Sequence, residues 1–579
     1  MSKIWQSYAA APEDFFAEND GLSPVMAQLL YNRGLKNEEE IEAFLDPESG
    51  FNDPFLFKDM EAAVNLLIDK IKAGEKIIVY GDYDADGITA AAVLMETLRI
   101  LKAKVEVYLP DRVSEGYGLN RDALDQVIAA GAKLVITVDT GIRNKEEVAY
   151  AKSKGLQVII TDHHTLPENE EDLPDCLIIN PADRRNAYPF RFLAGVGTSF
   201  KVASAIVSRS KLSDEQKHYL LERLLDLVAI GTVADMVTLM GENRTLVSRG
   251  LEVLNNTKRP GLQELIKVSK LDALRRLESW NIGFQIGPRL NAASRMDHAN
   301  NAFALLICED KQKAEVIAKE LNTRNGDRQK ITETAVGEAR AQIDKQFAAG
   351  EKFFLAAVSD SEKIWSEGII GLVAGKICER YYRPTIVVTH TEDGFKGSGR
   401  SIEEFNLIEA IEEAAASEDG LVDKYGGHPM ACGFSLLSQE KLDRFVLKLE
   451  EISARKLKGI NLVPKIKIEA EIPLSAVNEG LLAEISLLSP FGQNNPQPKF
   501  STHGLKIIEA FYMGIDGQHV KFRLADEEGF SLWAISFGGT ETYKHCEVGD
   551  FVDLAFFAEW NDFNGRREIQ LKIIDLKKI

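Results

Sequence analysis

Asp82, Asp84 and Asp86 alternate along Gly81-Asp82-Tyr83-Asp84-Ala85-Asp86-Gly87, directly after the apolar run KIIVY. Three carboxylates this close repel one another in a partly dry site unless cations compensate them. Carboxylate oxygens are suitable ligands for Mg2+ and Mn2+. Taken alone, the segment reads more readily as an Asx-rich turn capping the next helix. An EF-hand is excluded, because no Glu stands where its twelfth ligand should be. The reading changes because the feature recurs. LVITVDTG puts Asp139 at the end of another apolar run, VIITDHH puts Asp162, His163 and His164 at the end of a third, and AIGTVADMV offers Asp235. One buried Asp or His is usually a satisfied structural group. Several at successive strand ends converge on one edge of one sheet, and a mixed Asp/His set is what a two-metal hydrolytic centre requires.

These residues need elements to position them. A helix over EAAVNLLIDKIKAG leads into the strand KIIVYGD, and the helix ITAAAVLMETLRILKA follows. Further apolar strands at VEVYLP, LVITVD and QVIITD alternate with helical stretches, the pattern of a buried parallel sheet with crossover helices. Open sheets of this class place ligands at the carboxyl ends of their strands. Before this region MAQLLYNRGL and EEEIEAFLDP read as helices. Residues 190 to 345 are mostly helix-patterned and end in a long charged run suited to a helix joining two domains. A second α/β unit spans about 350 to 457, with strands FFLAAVS, PTIVVTH and FKGSGRS and the helix IIGLVAGKICERY. From about residue 462, KIKIEAEIP, LKIIEAFYMG, HVKFRLAD, FSLWAISF, DFVDLAFFAEW and EIQLKIIDL alternate with turns as in a small β-barrel of the OB type.

Bulk properties set the limits. A chain of 579 residues is too long for one core. With 45% hydrophobic and 27% charged residues it is globular in composition. Its net charge of −20 argues against holding nucleic acid by global attraction, but a local basic groove on an acidic surface is compatible with it. There is no signal-peptide pattern and no apolar run of the roughly 20 residues that cross a bilayer. Cys176, Cys308, Cys378, Cys432 and Cys546 are scattered and form no CxxC pair, which suits a reducing cytoplasm.

GDYDADG, VDTG, Asp-His-His and VAD, in this order and spacing, resemble the four motifs of the DHH phosphoesterase superfamily. The resemblance implies that Asp84 and Asp86 ligate separate metals, that Asp139 bridges them, and that His163 and Asp235 complete the second site. It places His164 beside the scissile phosphate or orienting the cluster, and Asp82 as a ligand or support of the first metal, with Asp82, Asp139 and His164 as the catalytic set. Phosphatase members carry His four residues before the second Asp of the first motif, where this chain has Tyr80. The first metal is therefore expected to rest on carboxylates and water, which suits Mg2+ as well as Mn2+.

Those motifs are shared by pyrophosphatases, cyclic-dinucleotide phosphodiesterases, nano-RNases and the RecJ exonucleases. Tyr425-Gly426-Gly427-His428 resembles the GGH motif of a DHHA1 domain, where Gly427 would let backbone approach a phosphate and His428 could donate to it. By itself GGH is at least as readily a turn. Gly397-Ser398-Gly399-Arg400-Ser401 suits a phosphate cradle with a bidentate Arg400, or else a hairpin with a surface arginine. Four further segments are similar to the RecJ family. They are DRVSEGYG with Arg112 and Tyr117, GPRLNAASRM with Arg289, Asn291 and Arg295, the stretch from Leu321-Asn322 to Arg328-Gln329, and Trp365-Ser366-Glu367-Gly368, where Ser366 replaces the usual His.

This resemblance implies a single-stranded-DNA-specific 5′→3′ exonuclease of repair and recombination, releasing 5′-mononucleotides with two Mn2+ or Mg2+ ions. Arg112, Ser398 and Arg400 would hold the 5′ end, and Tyr117, Arg289, Asn291, Arg295, Gly427 and His428 would join the DNA path. Tyr117 is read equally as a base-stacking or a packed loop residue, and Phe511, Tyr512, Phe522 and Trp533 mostly as barrel core. The implied division is an N-terminal helical segment (1–59), a DHH domain (60–250), a helical connector (251–348), a DHHA1 domain (349–457) and an OB-fold (458–579). The implied partners are single-stranded DNA with a 5′ end, single-strand binding protein and a RecQ-type helicase, in the cytoplasm and without a membrane. The rival enzyme is a phosphodiesterase for short RNA or cyclic dinucleotides, which needs no barrel. The rival non-enzyme is a DNA-binding relative with a decayed site, which would have lost the ligands that stand here.

Overall fold

Five short strands form the sheet that carries the acidic motifs: Lys76–Gly81 (β1), Lys104–Tyr108 (β2), Ala132–Val138 (β3), Gln157–Thr161 (β4) and Leu177–Ile179 (β5). In this computed structural model all their pairings are parallel and the order is β2-β1-β3-β4-β5. The structure describes every residue except 1, 2, 47–49, 113, 297, 349, 564 and 565, so Val113 of the DRVSEGYG segment lies outside the described residues. β1 and β3 are covered on both faces, which is why their sequences are continuous apolar runs without alternation. The chain runs from β1 out to β2 and then back to the other side of β1. The carboxyl ends of β1 and β3 therefore flank the topological switch point, where sheets of this order bind ligands. Asp82 and Asp139 follow those two strands.

The helix Ala85–Ile100 (α1) is buried along nearly its whole length, from Ala85 to Met95 and again at Thr97 and Leu98. It is packed under Gly195–Ser208 (α2) and Asp214–Ala234 (α3). Its apolar all-round sequence is that of a core helix rather than an amphipathic one.

By contact density the chain forms two compact units, one of residues 5–291, 299–319 and 465–579, the other of residues 1–4, 292–298 and 320–464. Besides the parallel sheet, the first unit holds a closed barrel of Phe500–Met513 (β11), His519–Ala525 (β12), Ser531–Ser536 (β13), Phe551–Phe563 (β14) and Arg566–Lys578 (β15). Its order, β11-β12-β13-β15-β14 with β14 closing on β11 and β13 parallel to β15, is the five-stranded Greek-key arrangement of an OB-fold. The helices at Glu13–Glu18, Pro24–Asn32 and Glu38–Leu45 share the barrel's core. Phe15, Met26, Leu30, Ile41 and Phe44 cluster with Phe500, Phe522, Leu554 and Phe556. Buried Arg33 pairs with buried Glu469 at 2.7 Å. Arg244 donates to the carbonyls of Phe44, Leu487 and Leu488.

The second unit has a sheet of Leu355–Val358 (β6), Thr385–Thr391 (β7), Gly394–Arg400 (β8), Lys424–His428 (β9) and Ala431–Leu436 (β10), ordered β9-β10-β8-β7-β6. The helix Glu367–Tyr381 (α4) packs with Leu355, Ala357 and Val387 on one face. Leu407–Ala416 and Gln439–Leu457 pack with Ile386, Val388 and Phe434 on the other. No helix among the described residues is long and apolar enough to cross a membrane.

Candidate metal centre and phosphate-contact residues

The first motif turns from strand to helix on its own carboxylates. Asp84 caps α1 by accepting from the amides of Asp86 (2.9 Å) and Gly87 (3.1 Å), as the Asx-turn reading anticipates. Asp86, within the first turn of α1, points instead at α2 and accepts from the amides of Gly195 (2.7 Å) and Val196 (2.8 Å). Gly195 also permits the approach of the third strand end, since a β-carbon there would lie 2.6 Å from the side chain of Asp139. Asp139 itself sits at φ 62, a left-handed conformation costly for a non-glycine residue and characteristic of functional sites.

Asp162 is fully buried and is the organiser of the third motif. It accepts from the amides of Ile142 (2.9 Å), His163 (2.7 Å) and His164 (3.1 Å), and lies 2.7 Å from His164 Nδ1. Burial pushes its carboxyl up, but the bond and charge of His164 outweigh this and hold it below the usual range. The same pairing outweighs the burial of His164 and raises the imidazole. His163 behaves oppositely. Burial, then the neighbouring His164, lowers it to about 4, so its imidazole is neutral at neutral pH, the form that can ligate a metal. Its Nε2 lies 3.1 Å from Asp139 Oδ1 and 3.6 Å from Asp235 Oδ2.

Two ligand groups result: Asp82, Asp84 and Asp139, and Asp86, His163 and Asp235, each with its donor atoms within 4.8 Å of one another. Asp139, His163 and His164 form a third group of the same span, so Asp139 stands between the two sites. Asp82 Oδ1, Asp139 Oδ1 and His163 Nε2 are buried without a hydrogen-bond partner, because the 3.1 Å approach lacks hydrogen-bond geometry. Burial first, and then neighbouring carboxylates, raise Asp82, Asp139 and Asp235 well above the ordinary range and Asp86 to about 7. Orphaned oxygen donors and one neutral imidazole, destabilised by mutual repulsion, fit divalent cations.

Tyr80 is fully buried, stacks on Tyr108 with centroids 5.2 Å apart, and donates to the Gly118 carbonyl at 3.1 Å. Position 80 thus belongs to the packing beneath the site, and the group around Asp84 has oxygen donors only.

The phosphate candidates fall into two sets. In the first unit Arg112 lies over the Tyr83 ring, 4.9 Å from its centroid, and its charge is felt by Asp82. The Tyr117 hydroxyl is 3.1 Å from His164 Nδ1 and 3.4 Å from the Asp139 carbonyl, while half of the residue stays exposed. Asn291 accepts from the Ala85 amide at 2.8 Å, bracing the metal loop, and Arg289 donates to the Gln285 carbonyl. In the second unit Arg400 donates to Ser398 Oγ (3.2 Å), and both reach Gly371 near the start of α4. Arg295 also falls in this unit and donates to the Gly368 carbonyl. Tyr425–His428 is the exposed edge strand β9 rather than a bare turn, and His428 and Arg400 both register with Ala431. Gly427 is at φ 143, and a β-carbon there would lie 2.4 Å from the Ala431 carbonyl, so its glycine is required by the hairpin itself. In the barrel Phe522 is core as expected, but Phe511 and Tyr512 are about half exposed. The residue that sequence reasoning left without a role is Asp162, whose function appears only once its partners are seen.

Three family models match the chain: DHH family, N-terminal domain, over residues 76–232, DHHA1 domain over 350–455, and RecJ OB domain over 468–575. The single-stranded-DNA-specific exonuclease RecJ of Bacillus subtilis is 37% identical, over 96% of this chain and 68% of its own length. That of Salmonella typhimurium is 34% identical over 96% of both. The chain belongs to the RecJ family. The crystal structure of RecJ from Thermus thermophilus with Mn2+ superposes with a TM-score of 0.82 at 27% identity, covering all of this chain and 80% of that one. The Mg2+ complex of the same protein gives 0.75 at 26% identity, covering all of this chain and 78% of that one. RecJ-family membership accounts for the barrel, which a small-molecule phosphodiesterase does not need.

Proposed function

We propose that this chain is a single-stranded-DNA-specific exonuclease that digests from the 5′ end and releases 5′-mononucleotides. The observation that carries the reading is the pair of ligand groups meeting at Asp139, at the sheet's switch point, in a chain similar along its length to exonucleases of that specificity. Asp82, Asp84 and Asp139 would hold one divalent ion and Asp86, His163 and Asp235 the other, with Asp139, whose Oδ1 lies 3.1 Å from His163 Nε2, shared between them. A divalent ion held there, Mn2+ or Mg2+, would supply activation of the attacking water and compensation of the phosphodiester's charge.

The chain's own residues supply the rest. Asp162 fixes the orientation of His164 and favours its protonated form, which suits donation to a phosphate oxygen. Arg112 and Tyr117 border the acidic cluster, where a strand's backbone and a base would lie. Asn291 fixes the amide that opens α1, and with it the first motif. In the second unit Ser398 and Arg400 are assigned the terminal 5′-phosphate, with Gly427, His428 and Arg295 as further DNA contacts, and Arg289 of the first unit is assigned to the DNA path as well. The domain limits given by the sequence, a cytoplasmic role in repair and recombination, and single-strand binding protein and a RecQ-type helicase as partners belong to this reading.

The test uses single-stranded DNA, duplex DNA and short RNA, each labelled at the 5′ or the 3′ end, with Mn2+, Mg2+ or EDTA. The expected result is immediate release of labelled mononucleotide from 5′-labelled single strands only, abolished by EDTA. Early mononucleotide release from the 3′ label would overturn the polarity, and preference for short RNA would overturn the substrate.

A further inference from the structure

A pocket of about 390 Å3 opens beside the metal centre, with the ligand His163 as part of its wall. The rest is mainly apolar: Phe190, Phe192 and Leu193 from the loop before α2, and Val237 and Met240 from the segment after Asp235. Arg191 of the same loop adds a guanidinium, which suits the phosphate of a bound nucleotide, and Thr238 and Asn494 add a hydroxyl and an amide. The volume lies in the range of small-molecule sites, which pair apolar walls with a few polar groups.

The loop is built to keep these walls in place. Leu193 stands beside His163 in the same wall, so the segment that shapes the pocket also borders a residue of the metal centre. Asn243 donates to the Phe192 carbonyl at 2.6 Å and to the Thr238 carbonyl at 3.0 Å, tying the two walls together. The opposite side is fixed where the Leu239 amide donates to the Gln493 carbonyl at 2.8 Å. Against this rigid backbone the Phe192 side chain is 61% exposed, edge-to-face with Phe190 at 5.8 Å. Met236, directly after the ligand Asp235, is 72% exposed at φ 61. Large apolar side chains are thus held in water at the rim of a cavity that adjoins the reacting centre.

We propose that this pocket receives the base of a nucleotide flanking the scissile phosphodiester, with Phe192 as the stacking surface. A base attached to a phosphate at the metals is the planar, apolar-faced group nearest to this cavity, and its polar edge can meet Thr238 and Asn494. Stacking is sequence-tolerant because every base has a π-face, as an enzyme that removes any nucleotide requires. Phe192 is then a positioning residue that sets where the phosphodiester rests over the metal ligands. This inference rests on the exonuclease reading.

The test compares a 5′-phosphorylated hexathymidylate with versions abasic at the first or second nucleotide, using the parent, Phe192→Ala and Phe192→Trp proteins. Binding is read by fluorescence anisotropy in EDTA, and kcat/KM in Mn2+. In the parent, one abasic position should weaken both by roughly tenfold, the order expected for loss of one stack. In Phe192→Ala the intact strand should fall to that level and the abasic residue should cost nothing more, while Phe192→Trp keeps the parent's pattern. Phe192 is exposed, so both variants should keep the parent's circular dichroism and melting temperature. An abasic penalty equal in parent and Phe192→Ala, or absent from the parent, overturns the inference. A parent that digests no single strand overturns the exonuclease reading instead.

Discussion

Asp139 belongs to the group with Asp82 and Asp84 and also to that with His163 and His164, and two predictions follow from its surroundings. If Asp139 is shared as proposed, Asp139→Asn removes a charge from both metal positions without removing a DNA contact. Hydrolysis should fall by more than a hundredfold while single-strand binding in EDTA stays near the parent's, and activity within tenfold of the parent would show that Asp139 does not bridge. The second concerns pH. Burial and mutual repulsion raise Asp82, Asp139 and Asp235, and raise Asp86 to about 7. A carboxyl whose pKa is higher folded than unfolded makes the native state bind more protons, so its contribution to stability falls as pH rises from the unfolded value toward the folded one. A bound cation reverses that loss by compensating the ionised groups. The rise in Tm on adding Mn2+, relative to EDTA, should therefore be small at pH 5.5 and larger at pH 8. Equal shifts at both pH values would mean that the cluster does not hold the metal. Arg400 supports a third prediction. Charge-assisted hydrogen bonds are worth about 1.5–3 kcal/mol, so Arg400→Ala should slow digestion of 5′-phosphorylated strands by roughly one to two decades and barely change that of 5′-hydroxyl strands. Equal slowing of both would end its assignment to the terminal phosphate.

At the scale of elements, the barrel offers a surface that alternation along its strands hides. Phe511 on β11 lies opposite Lys521 on β12 and 5.6 Å from the Trp533 ring on β13, with Lys521 Nζ 4.6 Å above that ring. An aromatic pair beside a lysine suits stacking and backbone contact with a single strand. Lys521→Ala should lower the salt slope of long-strand binding by about 0.7, the share of one phosphate contact, and Phe511→Ala should weaken binding without changing that slope. Unchanged binding by both variants would give this face another role. The sequence made some elements plain and hid others. The three-residue β5 was too short to read, whereas β1, β3 and β4 were legible because burial on both faces leaves uninterrupted apolar runs ending in acids. The exposed aromatic face was not, since an aromatic residue in a barrel strand reads the same whether it points in, as Phe522 does, or out, as Phe511 does. Nor was β9, whose Lys424–His428 lacks apolar alternation and is a strand only because β10 pairs with it. The ligands stood out through their motifs, whereas the bracing by Asn291 spans 206 residues of sequence and depends on the folded chain.

For the whole molecule, a chain with a catalytic sheet and a C-terminal barrel suggests that the barrel can be removed to leave a working core. The packing argues otherwise. Truncation after Pro464 would take away the Leu487 and Leu488 carbonyls that accept from Arg244, leaving only that of Phe44 for a buried guanidinium that burial, and then the charge of Arg33, already lowers to about 10. It would also remove Glu469 and Asn495, the side-chain acceptors of Arg33. Each charge-assisted hydrogen bond lost in this way is worth about 1.5–3 kcal/mol, even as water reaches the two guanidinium groups. The apolar side of the N-terminal helices, including Met26, Leu30, Ile41 and Phe44, would lose the barrel residues it packs against. These losses are comparable to the whole stability of a typical domain, about 5–15 kcal/mol. The truncated protein should therefore aggregate or melt well below the parent in a thermal scan, with hydrolysis lost along with the fold rather than through loss of DNA contacts alone. A soluble fragment ending at Pro464 that melts at the parent's temperature would show that the barrel and the N-terminal helices are not one folding unit.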